Sequence, residues 1–370
     1  MQRKITALLC VVSLMCLSLT AQAQTDSPFK LTKFSLEARA DFDYFNIQNS
    51  PVPDETPAMN QFGFNGKYFN LLLGGDLGHN FSFFFRQRIV ARPGSVSLFD
   101  NTDFLYVQYQ FHPRWRVRLG KEAMPVGGFE YDAPPIDVYY YTQYWGDFYC
   151  FQIGSAISYT DKNERNTLTF SFGNSPYVRT ADDWKDGLIG FNFLWKGDYN
   201  HFQTLYSANL YRRTTDNQWV SFIVLGNKLS FDKVSWYVDF VHKTYDFSEW
   251  FRYYLLVSRL DVKLYKGLSL FAKGGYEYNM GDDPWTMTFT DYTMPCFGTH
   301  YFYGLGLEFS PVKAPGLRLH GYVAMANMTD MQTDFNRKSA RTLNANLGVT
   351  WKIDFLKFLK KYYSAQSEKD

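Results

Sequence analysis

The sequence predicts an all-β fold: a transmembrane antiparallel up-and-down β-barrel of about 16 strands, with short periplasmic turns and long extracellular loops. Three observations carry that expectation. From Leu343 to Phe355, the residues Leu343, Ala345, Leu347, Val349, Trp351, Ile353 and Phe355 share one parity, while Asn344, Asn346, Gly348, Thr350, Lys352 and Asp354 share the other. A period of two means a strand with one apolar and one polar face, and this one is about twice as long as the 5–6 residues of an average soluble strand. Comparable segments recur along the chain. The stretches between them alternate short and long, as the two rims of a membrane barrel do.

The segments run, in order, over 34–47, 62–77, 81–91, 102–111, 115–121, 147–160, 167–173, 187–196, 201–212, 218–230, 233–244, 252–265, 268–279, 300–310, 316–327 and 341–355. Parity slips once, near Tyr68–Asn70, which marks a bulge. Short connections include Gly78-His79-Asn80, His112-Pro113-Arg114 and Lys266-Gly267; long ones include 48–61, 122–146 and 280–299. An even strand count puts both chain ends in the periplasm. Propellers show blade repeats, and none is present.

Composition agrees. Aromatic residues make up 19% of the chain, with 28 Tyr and 35 Phe, which suits two interfacial girdles better than a soluble core. The mean hydropathy of −0.31 does not oppose this, because inward polar residues dilute the lipid-facing ones. Beyond residue 23 no apolar run reaches the roughly 18 residues of a membrane helix. A net charge of +2 without a basic stripe argues against a nucleic-acid partner.

Residues 1–23 have the form of a cleaved signal peptide: Arg3 and Lys4, an apolar run from Ile5 to Leu19, and the small-x-small site Ala21-Gln22-Ala23. A lipid anchor at Cys16 would want small residues before it, where Leu14-Met15 stand. The barrel then occupies 24–355, and 356–370 forms a short periplasmic tail. The expected location is the outer membrane of a Gram-negative cell, with membrane lipid as the surrounding partner. Cys150 and Cys296 near strand ends are either a disulfide or two separate thiols, the latter favoured by the distance between their strands around the barrel.

Assigning apolar faces outward fixes what points inward. Arg39 comes from the first strand, Arg86 and Arg88 from the third, Tyr106 and Gln108 from the fourth, Arg116 and Arg118 from the fifth, and Arg259 and Lys263 from the twelfth. An arginine facing lipid at mid-depth costs about 2–4 kcal/mol, so the lumen is where these belong. Fixed positive charge in a lumen favours anions over cations. Wall arginines also pair with carboxylates for purely structural reasons, and Asp41, Asp43, Asp239 and Glu308 are candidates for that. The loop 122–146 is long, rich in Tyr and Trp, and stiffened by Pro134-Pro135. Such loops are functional or disordered. This one is read as folding inward to narrow the bore, with Glu130, Tyr131, Asp132 and Asp137 at the constriction and its acids facing the arginines. The other reading is an outside cap.

Val117-Arg118-Leu119-Gly120-Lys121, followed by Met124-Pro125-Val126-Gly127-Gly128, resembles a stretch of the phosphate-selective porin O/P family, as does the preceding Tyr106-Val107-Gln108-Tyr109. The resemblance implies a 16-stranded outer-membrane channel, usually a homotrimer, with a third-loop constriction and basic residues lining an anion path. It implies passive diffusion of small hydrophilic solutes or inorganic anions such as phosphate, with no cofactor. Two rival readings stand beside it. A closed barrel would act as an adhesin or scaffold. A barrel hydrolase would pair a serine with one of His79, His112, His201, His242, His300 or His320, and none of these stands in such a motif. Asp282, Asp283 and Asp291 either hold calcium or form a solvated acidic loop, the second being favoured; no metal cluster is otherwise evident.

Overall fold

The computed structural model describes residues 29–48, 60–89, 99–147, 149–178, 187–213, 218–245, 251–280, 285–289, 292–296, 298–314, 316–330 and 339–359. Sixteen antiparallel strands close into a barrel. They are β1 (Lys30–Gln48), β2 (Asn60–Gly78), β3 (Phe81–Arg88), β4 (Thr102–His112), β5 (Trp115–Ala123), β6 (Phe151–Thr160), β7 (Asn166–Asn174), β8 (Ile189–Tyr199), β9 (Phe202–Arg212), β10 (Trp219–Ser230), β11 (Val234–Thr244), β12 (Tyr253–Tyr265), β13 (Leu268–Asn279), β16 (Gly298–Phe309), β17 (Leu317–Asp330) and β18 (Ser339–Asp354). A separate hairpin, β14 (Trp285–Phe289) with β15 (Tyr292–Cys296), lies in the connection after β13 and was not foreseen. β1 pairs with β18 on one side and β2 on the other, and this closes the cylinder.

The alternation does what period two dictates. In β18, Leu347 and Trp351 are 67% and 55% exposed, while Asn346 and Thr350 between and beside them are 6% and 1% exposed. The apolar set faces outward and the polar set inward. Outward aromatics gather at both rims. Phe81 stacks on Tyr109 at 4.4 Å and Trp115 packs on Tyr159 at 4.9 Å near the short turns. Tyr254 and Tyr278 lie 5.3 Å apart near the long connections. Amphipathic rings prefer those depths in a bilayer. The parity slip in β2 is a bulge at Lys67, where Arg39 pairs with Tyr68 and Ala40 with Gly66. Gly78, His79 and Asn80 all take positive φ in the tight turn that follows β2.

One expectation fails in this fold. The inner wall is not polar all round. On β9 to β12, Tyr211, Val220, Phe222, Val224, Val241, Leu255 and Val257 face inward and are buried in one apolar cluster. The register sets Val224 opposite Val241 and Val241 opposite Leu255, so these residues share a face across strands. An apolar inner wall needs an apolar cover, and the long loop supplies it. The tail begins as a helical turn at 355–359, one residue earlier than expected. Residues 1–28, Asp282, Asp283, Asp291 and the side chain of Cys296 lie outside the described residues, as do the expectations resting on them.

Candidate functional site

The chain leaves β5 at Ala123 and folds into the barrel. Met124 N–H donates to Cys150 O at 2.9 Å, which closes the neck of the loop. Met124, Val126 and Tyr144 then pack on the apolar cluster of β9 to β12. This burial is the hydrophobic anchor that holds the loop inside.

The Gly127-Gly128 pair explains the close seating. Gly127 N–H donates to Ser207 Oγ at 2.9 Å, and Gly128 N–H to Leu205 O at 3.2 Å, both on β9. A Cβ at position 127 would stand 2.5 Å from Leu205 O, and Gly128 takes φ +91°. Glycine tolerates both conditions where other residues do not. A short helix, α1 (Phe129–Asp132), starts here. Asp239 on β11 accepts from the N–H groups of Phe129 and Glu130 at 2.9 and 2.8 Å. A carboxylate at a helix start satisfies donors that have no partner within the helix.

The loop then runs around the far wall. Glu130 pairs with Lys273 of β13 at 2.5 Å and accepts from Thr142 Oγ1 at 2.6 Å, so it ties both arms of the loop to the barrel. A single 3-10 turn, Pro135–Asp137, follows. Arg39 of β1 donates to Ile136 O and Val138 O at 3.3 and 2.8 Å. Asp137 meets Arg318 of β17 at 2.6 Å and Lys352 of β18 at 3.2 Å. Tyr139 donates to Glu308 of β16 at 2.7 Å. Burial, reinforced by that carboxylate, pushes the Tyr139 hydroxyl far above its usual range, so it keeps its proton and remains a donor. A second short helix, α2 (Gln143–Asp147), begins with Gln143 N–H on Glu277 of β13 at 2.9 Å. The loop is thus held against the sector that runs from β9 round to β1.

The arginines of β3 and β5 stand on the opposing sector. Arg86 and Arg88 both bond Asp103, at 2.9 and 2.8 Å. Arg118 pairs with Glu122 at 2.7 Å. Arg116 is exposed and makes no direct ion pair among the described residues, with Glu122 within electrostatic reach. These four guanidinium groups face the carboxylates of Asp103 and Glu122, with Glu37 of β1 within electrostatic reach of Arg86, which leaves a small excess of positive charge among these groups. Tyr106 and Gln108 share the inner face, with the Arg118 guanidinium 5.7 Å from the Tyr106 ring. Lys263 is exposed on β12.

Other expected residues turn out to be structural ties. Arg39 is 4% exposed, sits under the loop and pairs with Asp41 at 2.7 Å. Asp41 also takes His320 at 3.1 Å. Arg259 pairs with Asp261 and Glu308 at 2.7 and 3.4 Å. Glu130 and Asp137 do not face the β3 and β5 arginines, because cations on β13, β17 and β18 claim them. Tyr131 packs against the apolar cluster, and of Glu130, Asp132 and Asp137 only Asp132 is exposed. The histidines split likewise: His79 is in a turn, while His300 bonds Glu277 at 3.1 Å inside the wall.

Sequence reasoning missed Asp103 and the anchoring role of Asp239. Asp103 has outward parity in β4, and a register irregularity between Arg86 and Gln87 brings it onto the arginines. The apolar inner sector did leave a signal. Val220, Phe222, Ile223, Val224 and Leu225 form a nearly unbroken apolar run, which means burial on both faces.

A family model described as phosphate-selective porin O and P matches residues 34–230. No curated protein matches the chain in sequence. Among solved structures, the fold is similar to that of the outer membrane channel DcaP of Acinetobacter baumannii, with a TM-score of 0.61, 10% identity, and coverage of 89% of this chain and 99% of that one. It is similar to OprB of Pseudomonas putida, with a TM-score of 0.57, 11% identity, and coverage of 89% and 95%. It is also similar to a trimer form of OmpT from Vibrio cholerae, with a TM-score of 0.54, 9% identity, and coverage of 88% and 99%.

Proposed function

The chain belongs to the phosphate-selective porin O and P family of the outer membrane, and from that footing we propose a passive, anion-preferring channel for small hydrophilic solutes. The observation that carries the preference is the wall of β3 to β5, where Arg116 makes no direct ion pair among the described residues. Fixed positive charge in a confined, low-dielectric passage lowers the barrier for anions. The folded loop supports the same reading. It covers the sector from β9 to β1 and confines the open bore to the arginine side. Its exposed acid, Asp132, adds the opposite sign.

Short turns on the periplasmic side and the long connections outside complete the reading, with residues 1–23 removed on export and 356–370 left in the periplasm. Three copies would assemble in the membrane, as in the trimer form of OmpT. The lack of a nucleophile–histidine pair in the sequence favours this over a hydrolase.

Purified porin reconstituted in a planar bilayer should give stepwise conductance. In a KCl gradient its reversal potential should carry the sign of chloride preference. A silent membrane would support the closed-barrel scaffold, and a potassium-selective sign would refute the anion reading.

A further inference from the structure

Phe84 of β3 and Phe104 and Tyr106 of β4 share the inner face beside the arginines. Their rings lie 5.5 Å apart for Phe84 and Phe104, 6.0 Å for Phe84 and Tyr106, and 6.3 Å for Phe104 and Tyr106. All three remain partly exposed. Neighbouring aromatics on the wall of an aqueous passage are costly unless something covers them. The loop is spent on the opposite sector, where the apolar wall of β9 to β12 is already covered.

The register gives these rings a flat setting. Phe84 pairs with Gly74 on one side and Tyr106 on the other. Tyr106 pairs with Gly120, and Gly120 with Gly154. Glycines carry no side chain into the bore, so the wall beyond Tyr106 is recessed and the rings form a shelf. One inward position away from Gly120 along β5 stands Arg118, committed to Glu122. One further stands Arg116, exposed, within electrostatic reach of Arg118, Tyr106 and Glu122 but with no direct ion pair among the described residues.

We propose that this shelf is a solute-binding site for anions that carry a flat apolar ring, aryl monocarboxylates being the simplest. Arg116 takes the carboxylate, and Tyr106 with Phe84 takes the ring. The inference rests on the anion-porin reading and narrows its solute class. A guanidinium meets a carboxylate through two parallel N–H donors, and an aromatic ring packs edge-on or offset against other rings at the distances seen here. A bare multivalent oxyanion would want several uncommitted donors. Of Arg86, Arg88, Arg116 and Arg118, Arg116 alone makes no direct ion pair among the described residues, since Arg86 and Arg88 share Asp103 and Arg118 has Glu122.

The experiment records chloride current through the reconstituted porin while benzoate or acetate is added. Benzoate should halve the current at a concentration about tenfold below that of acetate, the ratio expected from ring contact. The double variant Phe84→Leu, Tyr106→Leu keeps apolar bulk and loses the flat faces. Measured against its own chloride current, it should lose the difference between the two acids. Arg116→Gln should weaken both acids. Equal inhibition by benzoate and acetate in the unaltered porin overturns this inference alone. So does a difference that persists in the Phe84→Leu, Tyr106→Leu variant. A membrane with no current overturns the porin reading and the inference together.

Discussion

Asp239 and Asp103 are single carboxylates that each hold two partners. Asp239 accepts two backbone N–H groups at the start of the inner loop. Its loss leaves buried donors unpaired at about 1–3 kcal/mol each. Asp239→Ala is therefore expected to loosen the loop while the barrel stays closed. Single-channel conductance should rise, and limited proteolysis should cut between 124 and 146. Unchanged conductance would mean the loop is held by other ties. Asp103 balances two arginines. Asp103→Asn removes that balance, so the reversal potential in a salt gradient should move further toward chloride. A shift toward potassium would show that Arg86 and Arg88 do not meet the passing ions.

In the proposed channel the loop narrows the cylinder, and its seating depends on glycine. Gly127→Ala would drive a methyl group into Leu205 O. The expected result is a displaced loop and a larger, noisier conductance. Glu130 and Lys273 form a buried pair inside the same element. Removing one partner strands the other, at about 3–5 kcal/mol. Glu130→Leu alone should lower the temperature at which the folded band on a gel gives way to the unfolded one. Glu130→Leu with Lys273→Met should recover most of that loss. If the double variant were no better than the single one, the pair would not be coupled.

At the scale of the whole molecule, the barrel was legible because lipid enforces strict alternation. The segments predicted at 268–279 and 201–212 coincide with β13 and β9 to within a residue. The inward set on β5 could be counted from Trp115, Val117 and Leu119. Less legible was everything that depends on contact across the bore. That Glu130 would meet Lys273, 143 residues away, leaves no trace in local pattern. Neither does the register irregularity that brings Asp103 onto Arg86 and Arg88. The apolar run in β10 was readable, and it meant an inner wall that something had to cover. The proposed passage is off-centre, with the loop seated on one sector and the β3 and β5 arginines on the other.

The most direct test of that arrangement is the zero-current potential of the Arg116→Gln porin beside the unaltered one, in the same KCl gradient. The off-centre, arginine-walled passage predicts chloride preference in the unaltered porin and a clear shift toward potassium on losing Arg116. Identical potentials, or potassium preference from the start, would contradict it.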